Sequence, residues 1–96
     1  MRIEWVDRAL DDLDEALAYI AEHNPQAARQ TAQAVRHQLS HLISHPNMGR
    51  QGRVENTREL VIPQTHFVIP YRFTEASSLI EILAVMHDAR EWPGDL

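Results

Sequence analysis

LDDLDEALAYIAEHNPQAARQTAQAVRHQLSHLI, residues 10–43, holds two apolar stripes at helical spacing with a stop-and-restart signal between them. Leu10, Leu13, Leu17 and Ile20 recur at intervals of three and four, so they share one face of a helix. Asp11, Glu15 and Glu22 fall on the other side. Asn24-Pro25 restarts the chain: the Asn side chain can cap free amides, and Pro at the first helical position lacks an N–H that would have no partner anyway. Ala28, Ala32, Val35, Leu39, Leu42 and Ile43 then form a second stripe, which must end near His45 because Pro46 disfavours a helical residue before it. Two amphipathic helices joined by so short a turn predict an antiparallel hairpin.

A hairpin with one apolar face per helix needs a surface to bury it against, and the flanking segments supply strands. Arg2 to Val6 alternates polar and apolar, and Asp7 is the expected N-cap of the first helix. Residues 47–57 contain two glycines and no periodicity, and read as a loop. Arg58–Ile62 reads as a strand, Pro63-Gln64-Thr65 as a turn, His66–Phe73 as a strand, Glu75 to Ser78 as a turn, and Leu79–Met86 as a last apolar strand. Pro70 interrupts its strand and is expected where no neighbour needs its N–H. The predicted order is β-α-α-β-β-β, an α+β fold with the helical hairpin packed on an antiparallel sheet. Residues 1–96 form one domain, since a chain this short has no room for two cores. The expected core joins the sheet to Leu10, Leu13, Leu17, Ile20, Val35, Leu39 and Leu42.

Composition excludes several function classes. The chain has no cysteine, which removes disulfides, thiolate nucleophiles and cysteine-based metal clusters. No cofactor or metal is called for. The N-terminus lacks the basic start and apolar run of a secretion signal, and no stretch approaches the roughly 20 apolar residues of a membrane span. A cytoplasmic protein with no membrane contact is therefore expected. The net charge of −5 disfavours a general electrostatic grip on nucleic acid. Its distribution is uneven: residues 1–22 carry seven acids, residues 75–96 carry five, and residues 23–74 carry six arginines against Glu55 and Glu59 alone.

Three groups of residues could carry chemistry. Arg50, Arg53 and Arg58 lie in or beside the loop Gly49-Arg50-Gln51-Gly52-Arg53. Guanidinium forks bind phosphate or carboxylate bidentately, and glycines permit close backbone approach. The competing reading is that these arginines pair with the acid-rich segments of the same chain. His37, His41 and His45 recur every four residues, a spacing able to hold a metal between turns. They lie opposite the apolar stripe, however, where a solvated polar face is the commoner outcome. His87, Asp88 and Arg90 follow the last strand, where an imidazole beside a fixed cation could serve acid–base chemistry on RNA. The simpler reading is a polar strand end, with Trp92 covering the edge of the core.

Taken together, these segments resemble toxins of the RelE/ParE superfamily. The resemblance is carried by Asp12-Leu13, Tyr19-Ile20-Ala21, Asn24-Pro25-Gln26-Ala27-Ala28, Pro46-x-Met48-Gly49-Arg50, Gly52-Arg53 and Thr57-Arg58-Glu59-Leu60-Val61. It continues through Pro70-Tyr71-Arg72 and His87-x-x-Arg90-Glu91-Trp92-Pro93. It implies the toxin half of a type II toxin–antitoxin module, linked to growth inhibition and plasmid stabilisation and neutralised by a cognate antitoxin. A homodimer or a higher toxin–antitoxin assembly is compatible with it. It also implies a surface for target or antitoxin drawn from Arg50, Arg53, Arg58, Arg72, His87, Arg90 and Trp92.

Two branches divide the family resemblance: ParE-like toxins poison DNA gyrase, and RelE-like toxins cleave mRNA on the ribosome. The acidic charge favours the first. RelE-like nucleases commonly place an Arg three residues before a strand Tyr, and aligning that Tyr with Tyr71 puts Val68 there. The chain also has no Lys for their basic pair. Arg58, His87 and Arg90 are the residues the nuclease alternative would use, and the ribosome and mRNA its partners. Gyrase poisoning is the favoured expectation.

Overall fold

The computed structural model describes residues 1–87. Within them β1 (Arg2–Trp5) leads into α1 (Asp7–His23) and α2 (Pro25–Ser44), followed by β2 (Arg50–Gln51), β3 (Arg58–Val61), β4 (Phe67–Thr74), β5 (Leu79–Ile82) and β6 (Met86–His87). The α+β class and the helical hairpin on a sheet are as expected. Asn24 caps α2 as its chemistry demands, its Oδ1 accepting the Ala27 N–H at 3.1 Å, with Pro25 opening the helix. The N-cap of α1 is Val6 rather than Asp7. Asp7 stands in the first turn instead, where a carboxylate still meets the positive end of the helix dipole. No helix among the described residues is long and apolar enough to cross a membrane.

The sheet is mixed, with strand order β1-β5-β4-β3-β2. The antiparallel arrangement expected from the sequence holds from β2 to β5, but β1 joins β5 in parallel, Ile3 opposite Ile80 and Trp5 opposite Ile82. A parallel pair needs a long crossover between its strands, and nearly the whole chain provides it. The loop expected over 47–57 contributes the two-residue β2. The last apolar strand, expected to run unbroken from Leu79 to Met86, splits in two. Tyr71 pairs with Ile82 and Val68 with Met86, so two residues of β4 oppose three of the returning chain. This is a β-bulge, and Pro70 sits at it. Its carbonyl accepts from Leu83 N, and its missing N–H falls where the ladder is already interrupted.

The core lies between the hairpin and one sheet face. Ala9, Val35, Leu42, Leu60, Ile62, Ile69, Tyr71, Ile80, Ile82 and Val85 are buried there, with Leu13 and Leu39 packed against them. Of the seven helical residues expected in the core, Leu13, Val35, Leu39 and Leu42 join it; Leu17 and Ile20 are half-buried outside the cluster, and Leu10 is 45% exposed, as is Ile43 of the second stripe. In α1 the buried residue is Ala9, the neighbour of Leu10 in the chain. Helix α1 is also pinned to the sheet by a polar contact. Asp12 Oδ2 accepts the N–H of Val85, inside the bulge, at 3.0 Å, and Arg8 Nε lies 3.5 Å from the same oxygen. A bulge leaves a backbone amide without a ladder partner, and burying it unpaired would cost about 1–3 kcal/mol.

Candidate functional site

The basic loop between α2 and β3 is held by two side chains from opposite faces of the sheet. Pro46 ends α2, and the chain must turn back at once to reach β2. Tyr71, fully buried on β4, meets it there: its hydroxyl donates to Pro46 O at 2.7 Å and accepts the Gly49 N–H at 3.0 Å. Burial raises the phenol pKa, partly offset by the Gly49 N–H and the Arg58 charge, so the group stays a donor. Gly49 is needed for this fit, because a Cβ there would come within 2.7 Å of the Tyr71 ring. A Cβ at Gly52 would collide with the Thr57 hydroxyl. The loop glycines therefore admit the protein's own side chains, where their sequence context suggested approach to a ligand.

The second anchor is Glu59. The ladder sets Arg50 opposite Glu59, and the Glu59 side chain is only 3% exposed. Its Oε1 accepts from Arg50 Nε and Nη2 at 3.2 and 3.0 Å, and its Oε2 from the Arg53 backbone N–H and Nε at 3.2 and 3.1 Å. Arg58 completes the frame, its Nη1 donating to Asn47 O and Gly49 O at 3.1 and 2.9 Å. Among the described residues, Arg50 and Arg53 pair with the carboxylate in their midst. The outward surfaces stay open to solvent, with the side chains of Arg50 and Arg53 54% and 41% exposed.

Burial alone would raise the Glu59 carboxyl, but the Arg53 backbone N–H and the two guanidinium groups outweigh it and hold the pKa below its ordinary value. A carboxyl depressed in the folded state contributes stability above its unfolded pKa, near 4.5, and loses it as pH falls through the folded value. Urea titrations from neutral pH downward should show wild-type stability declining below about pH 4.5 more steeply than that of Glu59→Gln. Equal slopes in the two proteins would show that the arginines do not depress this carboxyl.

The remaining expected site residues are dispersed. Arg72 is half-buried on β4, opposite Glu81 and on the same sheet face as Glu59. His87, expected just after the last strand, lies within β6 and is exposed, its ring 5.3 Å from that of His66 and 5.7 Å from that of Phe67. It pairs with Phe67, whereas Arg58 pairs with Tyr71 on the other side of β4. Four residues of strand, about 13 Å, separate the two positions along β4. The described residues therefore do not bring Arg58 and His87 together. Val68 is 5% exposed and packs with Ala84 and Met86. Arg90 and Trp92, with Asp88, lie outside the described residues.

A cleft of about 820 Å³ opens beside His87, between the hairpin and the β3–β4 turn. Asp12, Glu15 and Tyr19 of α1 form one wall, and His66, Phe67 and His87 the other. Tyr19 is 70% exposed. Sequence reasoning missed Glu59 and Tyr71 as organisers of the loop and Asp12 as the ligand of the bulge. The one available signal was Glu59 itself, a rare acid in an arginine-rich stretch at an alternating strand position. Among the described residues no group of three or more His, Asp or Glu could hold a metal ion.

Comparison with known proteins agrees with this architecture. Residues 3–92 match the family model of the ParE toxin of type II toxin–antitoxin systems, parDE. The chain is 41% identical to a candidate toxin of Sinorhizobium fredii, Y4kP, over 92 residues that cover 96% of this chain and 93% of the relative. Its fold is similar to a chain of the chromosomal ParDE system from P. aeruginosa, with a TM-score of 0.77 and 24% identity over 91% of this chain and 95% of that one. It is also similar to a chain of the E. coli RelBE toxin–antitoxin complex, with a TM-score of 0.62 and 9% identity over 86% and 90% of the two chains.

Proposed function

The chain belongs to the family of ParE toxins of type II toxin–antitoxin systems, and from that premise we propose that it arrests growth by binding and poisoning DNA gyrase, with a cognate antitoxin holding it inactive. The observation that carries this reading is the form of the basic loop. Glu59 fixes Arg50 and Arg53 into a pre-ordered, half-exposed pair on one face of the sheet, and loop carbonyls hold Arg58 on the other. Such a surface suits recognition of a protein, where a few arginines and aromatics dominate affinity and prior ordering lowers the cost of binding. Cleaving RNA has a different requirement. Cations and a general base must converge on one phosphate, and losing one such group costs orders of magnitude in rate. Here Val68 is buried in an apolar cluster, and Arg58 and His87 stand apart along β4.

The antitoxin fits the cleft and the loop together. The P. aeruginosa and E. coli relatives are described as members of ParDE and RelBE toxin–antitoxin systems. In this chain an amphipathic segment laid in the cleft would cover Tyr19 and Phe67, and acidic residues beyond it would reach the arginine loop.

Expression without the antitoxin should arrest growth with double-strand breaks attributable to gyrase, while bulk mRNA stays intact. Co-expression of the neighbouring antitoxin should restore growth. Immediate arrest of translation with cuts at defined codons, and no gyrase-dependent breaks, would overturn the proposal.

A further inference from the structure

His37 and His41 face solvent on α2, one turn apart, with their Nε2 atoms 3.3 Å from each other. The rings meet edge to face, centroids 4.7 Å apart at 81°. Zinc and related dications bind imidazole nitrogen at about 2.0–2.1 Å, so two nitrogens at a tetrahedral angle must stand roughly 3.3–3.4 Å apart. The pair already has that separation. Both residues sit on the polar face of α2, away from buried Val35 and Leu42, so a bound ion would disturb neither the core nor the arginine loop.

From this geometry we infer that His37 and His41 form a binding site for a borderline transition-metal dication, with water filling the other coordination positions. Imidazole pairs select zinc, nickel and copper(II) over magnesium and calcium, which prefer oxygen ligands. No third His, Asp or Glu among the described residues completes the set, which makes the site open and its affinity moderate. Binding needs little rearrangement. Without metal, one Nε2–H donates to the other ring's Nε2. With metal, the donor ring moves its proton from Nε2 to Nδ1, which frees its Nε2 lone pair, and both Nε2 atoms can ligate the ion. Two ligands on successive turns clip the helix, so the ion should bind the folded chain more tightly than the unfolded one and raise its melting temperature. The inference does not rest on the gyrase proposal.

The test is calorimetric titration of nickel or zinc chloride into the full chain without a purification tag, at fixed neutral pH, with thermal melts in parallel. One equivalent should bind, and the melting temperature should rise with metal concentration. His37→Ala and His41→Ala should each weaken binding at least about tenfold and remove the thermal shift. Both positions are exposed, so both variants should stay folded, and magnesium should give no signal. His45→Ala, one turn further along, should bind as wild type. Absence of binding to the wild-type chain, or binding unchanged in the His37→Ala/His41→Ala double variant, would overturn the inference, as would an equal loss in His45→Ala.

Discussion

Replacing Glu59 by alanine should lower the unfolding free energy by about 2–4 kcal/mol and abolish growth arrest. Four hydrogen bonds from two arginines end on this carboxylate, and bonds to charged groups contribute about 1.5–3 kcal/mol each. Relief of the carboxylate's own desolvation offsets part of that sum. For a chain of 96 residues, the remainder corresponds to a fall in melting temperature of roughly 10 °C or more. The functional loss has a separate cause. With Glu59 gone, Arg50 and Arg53 repel each other and regain their rotamer freedom, so the ordered surface is lost even while the sheet stays folded. Amide exchange should then show the N–H of Arg53 losing its protection, with β4 and β5 unchanged. If Glu59→Ala melts within a degree or two of wild type and remains toxic, the arginines are ordinary surface pairs worth little.

The second large effect is expected at Leu42. It is fully buried, in one cluster with Val35, Leu60, Ile62 and Tyr71. Leu42→Ala removes three carbons from a packed interior and should cost about 2–5 kcal/mol, a large share of the 5–15 kcal/mol that holds a small domain folded. Leu10→Ala is the contrasting case. That residue is 45% exposed, and its truncation should stay within about 0.5 kcal/mol. Urea titration of the two variants gives both values directly, and equal costs would contradict the packing described here.

Leu42 and Leu10 also show what could be read from sequence. Helical spacing identifies a face, and the Asn24-Pro25 restart identifies the hairpin, because both are local effects of backbone geometry and capping. Which edge of a face touches the sheet depends on the residues opposite it, so the stripe points to Leu10 as core while Ala9 is the buried residue of α1. The parallel pairing of β1 with β5 and the bulge at Pro70 are likewise set by tertiary register, which no local pattern encodes. Within the candidate site the arginines were recognisable by charge and spacing. Their anchor was not, since charge alone points the three loop arginines to the acid-rich segments. The ladder decides otherwise by setting Arg50 against Glu59, two elements that only the folded sheet makes neighbours.

The proposal that this toxin acts on gyrase through a binding surface is tested most directly with purified components. The chain should be added in parallel to gyrase on supercoiled plasmid and to ribosomes programmed with a defined mRNA. The account predicts gyrase inhibition or trapped, protein-linked breaks that disappear with Glu59→Ala and persist with His87→Ala, beside an mRNA that remains full length. Codon-dependent mRNA cleavage abolished by His87→Ala or Arg90→Ala, with gyrase unaffected, would contradict it.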